Sequence, residues 1–227
     1  MRQLKVGSLF SGSGTAELSA RLCGMNPVWA SEIEPFAISV TSKNFPNMKH
    51  LGSILDINGA DIEPVDIICG GSPCQNLSMA GNRAGLIDGQ ESKLFFDMIR
   101  VIKEMRAATN NQYPRWVIWE NVPGAFTSNK GKDFYEVIKQ YASIADQTAY
   151  VPEPKGKNNK LVWRNAGSIV GHGWSIAWRC VDAQYWGVPQ RRRRIYLVLD
   201  TGSERAGEIL FEPKSCTGDS EQSEEAG

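Results

Sequence analysis

Short apolar, β-branched runs alternate with amphipathic stretches through the first half of the chain, the pattern of an open sheet covered by helices on both faces. Strands are predicted at Leu4–Phe10, Val28–Glu32, Asp66–Cys69 and Trp116–Glu120. Between them, Glu17–Cys23 ends at Gly24 as a helix does, Pro35–Asn44 opens with a proline in its first turn, and Leu94–Arg106 carries apolar residues at helical spacing. Residues 150–159, rich in Pro, Gly, Lys and Asn, predict an exposed loop between two sheet segments. Beyond it, Trp174–Asp182 and Ile195–Leu199 predict two further strands joined by a turn at Gly187 and Pro189. The expected fold class is α/β, a doubly wound and mostly parallel sheet. In such sheets ligands gather at the carboxyl ends of the strands, so each strand-to-helix junction is a candidate binding edge.

Composition narrows the picture. With 227 residues, 41% hydrophobic and 22% charged, the chain can bury a full core, which excludes disorder throughout. Net charge is zero, but residues 212–227 hold five acids against one Lys and no strong apolar anchor, so they are expected to form a disordered acidic tail. Residues 1–211 then carry 24 basic and 20 acidic groups, with Arg191, Arg192, Arg193 and Arg194 as the conspicuous cluster. Such a balance is compatible with a polyanionic partner without requiring one. Five cysteines with no C-x-x-C pair, and only two histidines, fit neither a disulfide framework nor a zinc site. No metal is expected, and reduced thiols point to a cytoplasmic protein. No apolar run approaches the roughly 20 residues of a membrane span, and the first ten residues lack a signal-peptide pattern.

Five segments carry candidate chemistry. In LFSGSGTAEL, Gly12 and Gly14 follow a predicted strand and precede a predicted helix, where glycines let backbone approach a nucleotide-type ligand or simply make a tight turn. Glu32, at the tip of the second strand, is placed either to accept hydrogen bonds from ribose hydroxyls or to cap the helix opening at Pro35. In GGSPCQNLSMAG, Cys74 follows a proline in a glycine-bounded loop, a setting that exposes a thiol as a nucleophile; Cys23, Cys69 and Cys180 sit in apolar segments and are expected to be inert core residues. WENVPG closes an apolar strand with Glu120 and Asn121. A carboxyl there, desolvated by Trp119 and the sheet, would have a raised pKa and could share a proton, or it could simply face water. In QYWGVPQRRRRIYLV, side chains alternate along an extended chain, so Arg192 and Arg194 point together.

Taken in order, FSGSG, Pro73-Cys74-Gln75, Leu94-Phe95-Phe96, Glu120-Asn121-Val122 and Gln190 followed by Arg192 and Arg194 resemble the DNA cytosine-5 methyltransferases, in particular their phage and prophage branch. The resemblance implies a Rossmann-like fold dependent on S-adenosylmethionine, with S-adenosylhomocysteine as product and double-stranded DNA as partner. It implies that Cys74 adds to C6 of cytosine, that Glu120 acts at N3, and that Arg192 and Arg194 lie near O2 and the backbone. It places Phe10 against the adenosine, Gly12, Ser13, Gly14 and Thr15 near the methionine end, Glu32 on the ribose and Ile33 on the adenine. Ser53, Ile54, Pro73 and Leu94 complete the implied cofactor contacts. The target base must leave the stack, and residues 76–92 resemble the loop that closes over it.

Two departures qualify the resemblance. Where the family has an aspartate for the adenine amino group, this chain reads Gly52-Ser53-Ile54, which implies weakened binding. The family's arginine motif is followed by a target-recognition region and a closing C-terminal helix, whereas only 33 residues follow Arg194. Residues 1–211 are therefore expected to be a catalytic and cofactor-binding domain without a base-reading module, one that a second polypeptide could supply. Two other functions stay open at this point: a methyltransferase acting on transfer RNA, as in a related branch, and an inactive homologue that binds cofactor or DNA.

Overall fold

The computed structural model describes residues 2–72, 90–154, 156, 160–187 and 189–211, leaving aside the side chains of 90–92. Among them, eight strands form one sheet: β1 (Lys5–Leu9), β2 (Asn26–Ser31), β3 (Lys49–His50), β4 (Ile67–Gly70), β5 (Trp116–Asn121), β6 (Ala166–Val170), β7 (Ser175–Asp182) and β8 (Arg193–Asp200). Their order is β3-β2-β1-β4-β5-β8-β7-β6. The first five run parallel, whereas β5–β8, β8–β7 and β7–β6 are antiparallel. Strand order reverses between β1 and β4, which opens a crevice at their carboxyl ends.

The helices are α1 (Thr15–Leu22), α2 (Pro35–Asn44), α3 (Gln90–Ala108), α4 (Lys132–Ala145) and the short α5 (Ala206–Leu210). Every strand and helix predicted from the pattern is present within a few residues of its expected ends. α2 matches its expected bounds, with Pro35 in the first turn, where a missing N–H costs nothing. β3, β6, α4 and α5 were not anticipated. Of these α4 was the most legible, since Phe134, Val137, Ile138, Tyr141 and Ala142 lie on one buried stripe.

The main core lies between the sheet and α3 and α4. Phe95, Met98, Ile102 and Met105 of α3 meet Ile68, Val117 and Trp119 of the sheet, all fully buried. Around α4, the Phe134 ring packs edge-on to Phe126 (4.7 Å between centroids) and Trp163 (4.9 Å), and lies 6.2 Å from Trp119. This aromatic cluster fixes β5 from below. The opposite face is covered by α1 and α5 at its sides, while Ile118 between them stays half-buried.

Two neighbouring strands pack closely at Gly7 of β1. Trp29 of β2 lies flat over it, its indole N–H donating to the Glu63 carbonyl at 2.9 Å, and a Cβ at Gly7 would sit 2.2 Å from the ring. The ring is buried and tethered, so it cannot swing away. Gly7→Ala should therefore lower stability by about 1–3 kcal/mol through overpacking, read as a lower urea midpoint with an unchanged m value.

Candidate active site

Three chain segments meet at the carboxyl edge. The first is the glycine turn after β1. Phe10 (φ 58), Gly12 (φ 57) and Gly14 (φ 89) all adopt left-handed backbone, which folds the chain back toward β2. The Gly12 N–H donates to Glu32 Oε2 at 2.7 Å, while Glu32 Oε1 accepts from the N–H groups of Ile33 (2.8 Å) and Glu34 (3.0 Å). Glu32 thus organises the entry to α2 and faces the glycine turn. Oε2 retains a second lone pair for a further donor.

The glycines divide by role. A Cβ at Gly12 would meet nothing within 4 Å, and the same holds at Gly52 (φ 72), whose carbonyl accepts from the Ser31 hydroxyl at 2.8 Å. Both border open space. A Cβ at Gly14, by contrast, would lie 2.8 Å from Thr41 Cγ2, so Gly14 serves the contact of α1 with α2. Ser13 and Thr15 are exposed, as is Ile33, and Ser53 accepts from the Leu55 N–H at 3.2 Å as the cap of a single helical turn. Ile54 and Leu94 pack into or against the main core, leaving little of their side chains for a ligand.

The second segment leaves β4. Ser72 is buried, its hydroxyl accepting from the Trp119 indole N–H at 3.1 Å and its carbonyl from Asn121 Nδ2 at 2.9 Å. At Gly71 a Cβ would stand 3.1 Å from Glu120 Oε2. The chain is therefore pinned against the end of β5 immediately before Pro73 and Cys74. Those two residues, the rest of the proposed closing loop to Gly89 and the acidic tail from Glu212 lie outside the described residues.

The third segment is the start of β8. Because β8 runs antiparallel to β5, its first residues reach the same edge, and Arg194 Nε pairs with Glu120 Oε1 at 2.8 Å. Arg192 lines the same cavity as Glu120, its own N–H donating to Asp182 Oδ1 at 2.9 Å. The expected alternation of Arg192 and Arg194 onto one face thus brings both beside the acid. The expected desolvation of Glu120 by Trp119 does not occur. Adjacent strand residues face opposite sides, so Trp119 is buried below the sheet while the Glu120 side chain is 36% exposed above it.

Three contributors escaped the sequence reading. Tyr196 stands directly across from Glu120 in the β5–β8 ladder, and its phenol is held above the ordinary value by burial first and then by Glu120, with Arg192 and Arg194 opposing. Glu17 is buried at the start of α1, accepting from the hydroxyls of Ser8 and Ser11, with Oε2 lacking a partner. Ser72 is the third. Only strand pairing could have revealed Tyr196, whereas a lone acid in the first turn of a helix carried no distinguishing signal. A cavity of about 570 Å³ is lined by Tyr196 and runs from Phe10, Thr15, Gly71, Glu120 and Arg192 down the sheet face to Ile67, Cys69 and Ile118.

A glycine turn, a pinned strand end and an arginine-paired acid occur here in a fixed spatial order, and residues 4–150 match the model for C-5 cytosine-specific DNA methylases. The chain belongs to that family. Among its relatives, the type II methyltransferase M2.BsuMI of Bacillus subtilis is 33% identical over 86% of this chain and 41% of its own length. An Escherichia phage P1 protein, named a DNA N-6-adenine-methyltransferase, is 32% identical over 93% of this chain and 30% of its own length. The name of that protein and the family matched here differ in target base; the matched family is the cytosine one. The S. pombe Dnmt2 methyltransferase shares the fold, with a TM-score of 0.59 over 87% of this chain and 51% of that one at 19% identity. The chain spans less than half the length of these curated relatives.

The cysteines of this methylase-family chain are not equivalent. Cys180 is half-buried. Cys23 is exposed at the end of α1, contrary to the expectation of a core residue, because the helix ends there and turns its last side chain outward. Cys69 is half-buried in the floor of the cavity, and burial, followed by the negative charge of Glu17, pushes its thiol up to about 12. Relative to the ordinary value of 9.0 this lowers the thiolate population at neutral pH by roughly a thousandfold. Iodoacetamide at pH 8 should label Cys23 within minutes and leave Cys69 intact, as read by peptide mass spectrometry; rapid labelling of Cys69 in the folded protein would contradict this placement.

Proposed function

We propose that this chain is the catalytic portion of a DNA cytosine-5 methyltransferase, with Cys74 as nucleophile and S-adenosylmethionine as donor. The observation that carries the reading is the pinning of Ser72 to Trp119 and Asn121 beside an acid paired with arginine. Two residues of chain extend no more than about 7 Å, a span that would let a nucleophile at position 74 reach a ring whose N3 meets Glu120.

The donor fits the glycine turn. Glu32 Oε2 has an acceptor position left for a ribose hydroxyl, Gly12 and Gly52 leave room for close backbone approach, and Ile33 offers an exposed apolar surface to adenine. When bound, S-adenosylmethionine supplies an electrophilic methyl carbon. The protein supplies the rest. The Cys74 thiolate forms a bond to C6, and the C5–C6 electron pair becomes available at C5 while charge at N3 is relieved by a proton held at Glu120. Arg194 fixes the orientation of that carboxyl group, and Arg192 faces the same space for O2 or a phosphate. After C5 is methylated, departure of its proton to water or a nearby base restores the double bond and breaks the bond from Cys74 to C6.

Target recognition is assigned, on the same reading, to a covering element beyond the described residues, which a second polypeptide could supply. Parallel sheets are normally covered on both faces, yet here Ile118 is half-buried and the rims offer exposed Leu18, Leu22 and Ile209. Ile118 and Ile209 both line the cavity, and this apolar strip supports a covering element beyond the described residues.

Two outcomes test the proposal. DNA containing 5-fluorocytosine blocks the final proton loss, so with S-adenosylmethionine it should accumulate a covalent adduct on denaturing gels. The yield should rise when the polypeptide encoded beside this chain is added, and equal adduct from Cys74→Ala would refute the nucleophile. In titration calorimetry, Glu32→Ala should bind S-adenosylmethionine at least about tenfold more weakly, the loss of roughly one charge-assisted hydrogen bond; unchanged affinity would remove Glu32 from the site.

A further inference from the structure

The proposed reaction uses Arg192 and Arg194 and leaves their neighbours in the arginine run without a role. Arg191 and Arg193 are exposed and line a separate groove around the end of β7, with Arg179, Asp182, Tyr185 and Trp186. The groove is large, about 900 Å³, and it continues past Gly187 and Pro189 into a second depression that Arg191 also lines. It exists because β6 pairs with β7 only from Ser175 to Arg179, so the last three residues of β7 have no strand on their outer side.

Its chemistry is distinctive. Tyr185 is 80% exposed and Trp186 62%, two large rings on a short helical turn that ends at Gly187 (φ 80). Among the described residues, the Arg193 side chain makes long contacts, 3.4 Å to Asn165 Oδ1 and 3.5 Å to Cys180 Sγ, and no hydrogen bond or ion pair engages the Arg191 side chain. The acid in the groove, Asp182, is already occupied by the N–H groups of Gln184 and Arg192 and by the Gln184 side chain. Positive charge therefore exceeds negative, and it is interleaved with exposed aromatic faces. That pairing suits a sugar–phosphate strand, whose phosphates take arginine and whose bases or sugars take a ring.

Position adds the second argument. β7 runs parallel to β5, so its end lies on the same edge of the sheet as Glu120, with only β8 between them. Two strand spacings amount to roughly 10 Å, about three nucleotide steps along a duplex. Alternation turns Arg191 and Arg193 to the face opposite Arg192, Arg194 and Glu120, so a polynucleotide presented to Glu120 would reach this groove across the edge of the sheet.

We propose that the groove at the end of β7 holds the strand flanking the reacting base, with Arg191 and Arg193 on its phosphates and Trp186 against a base or sugar. The inference rests on the proposed nucleic-acid reaction and adds a binding surface distinct from the reacting groups. Fluorescence anisotropy with a short labelled DNA duplex and with an RNA hairpin, from about 50 to 200 mM salt, tests it. Arg191→Ala/Arg193→Ala should weaken binding of the preferred polymer at least about tenfold and reduce the salt slope by about 2. Trp186→Ala should weaken binding while leaving the slope unchanged. Both variants should keep wild-type S-adenosylmethionine affinity in the calorimeter and wild-type melting. Wild-type affinity and slope in the double variant would overturn the proposal, as would a wild-type chain that binds neither polymer. Donor binding and fluorocytosine trapping, read separately, report on the reaction site and do not depend on these arginines.

Discussion

The site depends on a buried hydrogen-bonded clasp between two neighbouring strand ends. Trp119 and Asn121 of β5 both donate to Ser72, one to its hydroxyl and the other to its carbonyl. Buried polar groups of this kind are costly when unpaired, so the clasp holds the chain leaving β4 in one place. Trp119 is itself held by aromatic neighbours Phe95 and Phe134, which ties the clasp to the main core. Residues 119 to 121 thus divide their work by alternation: Trp119 and Asn121 anchor, and Glu120 between them faces the cavity.

Antiparallel pairing supplies the other half of the geometry. In a wholly parallel sheet the strand beside β5 would present its carboxyl end here, followed by a crossover helix. Because β8 runs the other way, its beginning arrives at the edge instead, and Arg194, two residues before the Tyr196 that stands opposite Glu120, is delivered to the acid. The glycine turn completes the arrangement from the far side of the crevice, with Glu32 drawn in by Gly12.

Much of this was legible in the sequence because the signals were local. Strand and helix positions followed from periodicity and punctuation, and Gly12, Glu32, Glu120 and Arg194 stood at element ends that the fold gathers at one edge of the sheet. What was not legible depended on pairing between distant segments. Trp119 seemed a shield for Glu120 until the strand pleat put the two on opposite faces. Tyr196 gained its place only through register with β5, and Gly14, read as part of a ligand turn, proved to serve the packing of α1 on α2. Cys23 looked apolar by its neighbours, yet a helix end exposed it.

The run of four arginines has a consequence for how β8 finds its partner. Charge alone cannot specify register there, since sliding the segment by one position would bring Arg193 to the place that Arg194 holds beside the acid. Alignment must instead come from downstream, where Ile195, Leu197 and Leu199 fit the core and Tyr196 and Val198 the other face. The hydrophobic half of the strand acts as the ruler, and the cationic half is carried into place by it.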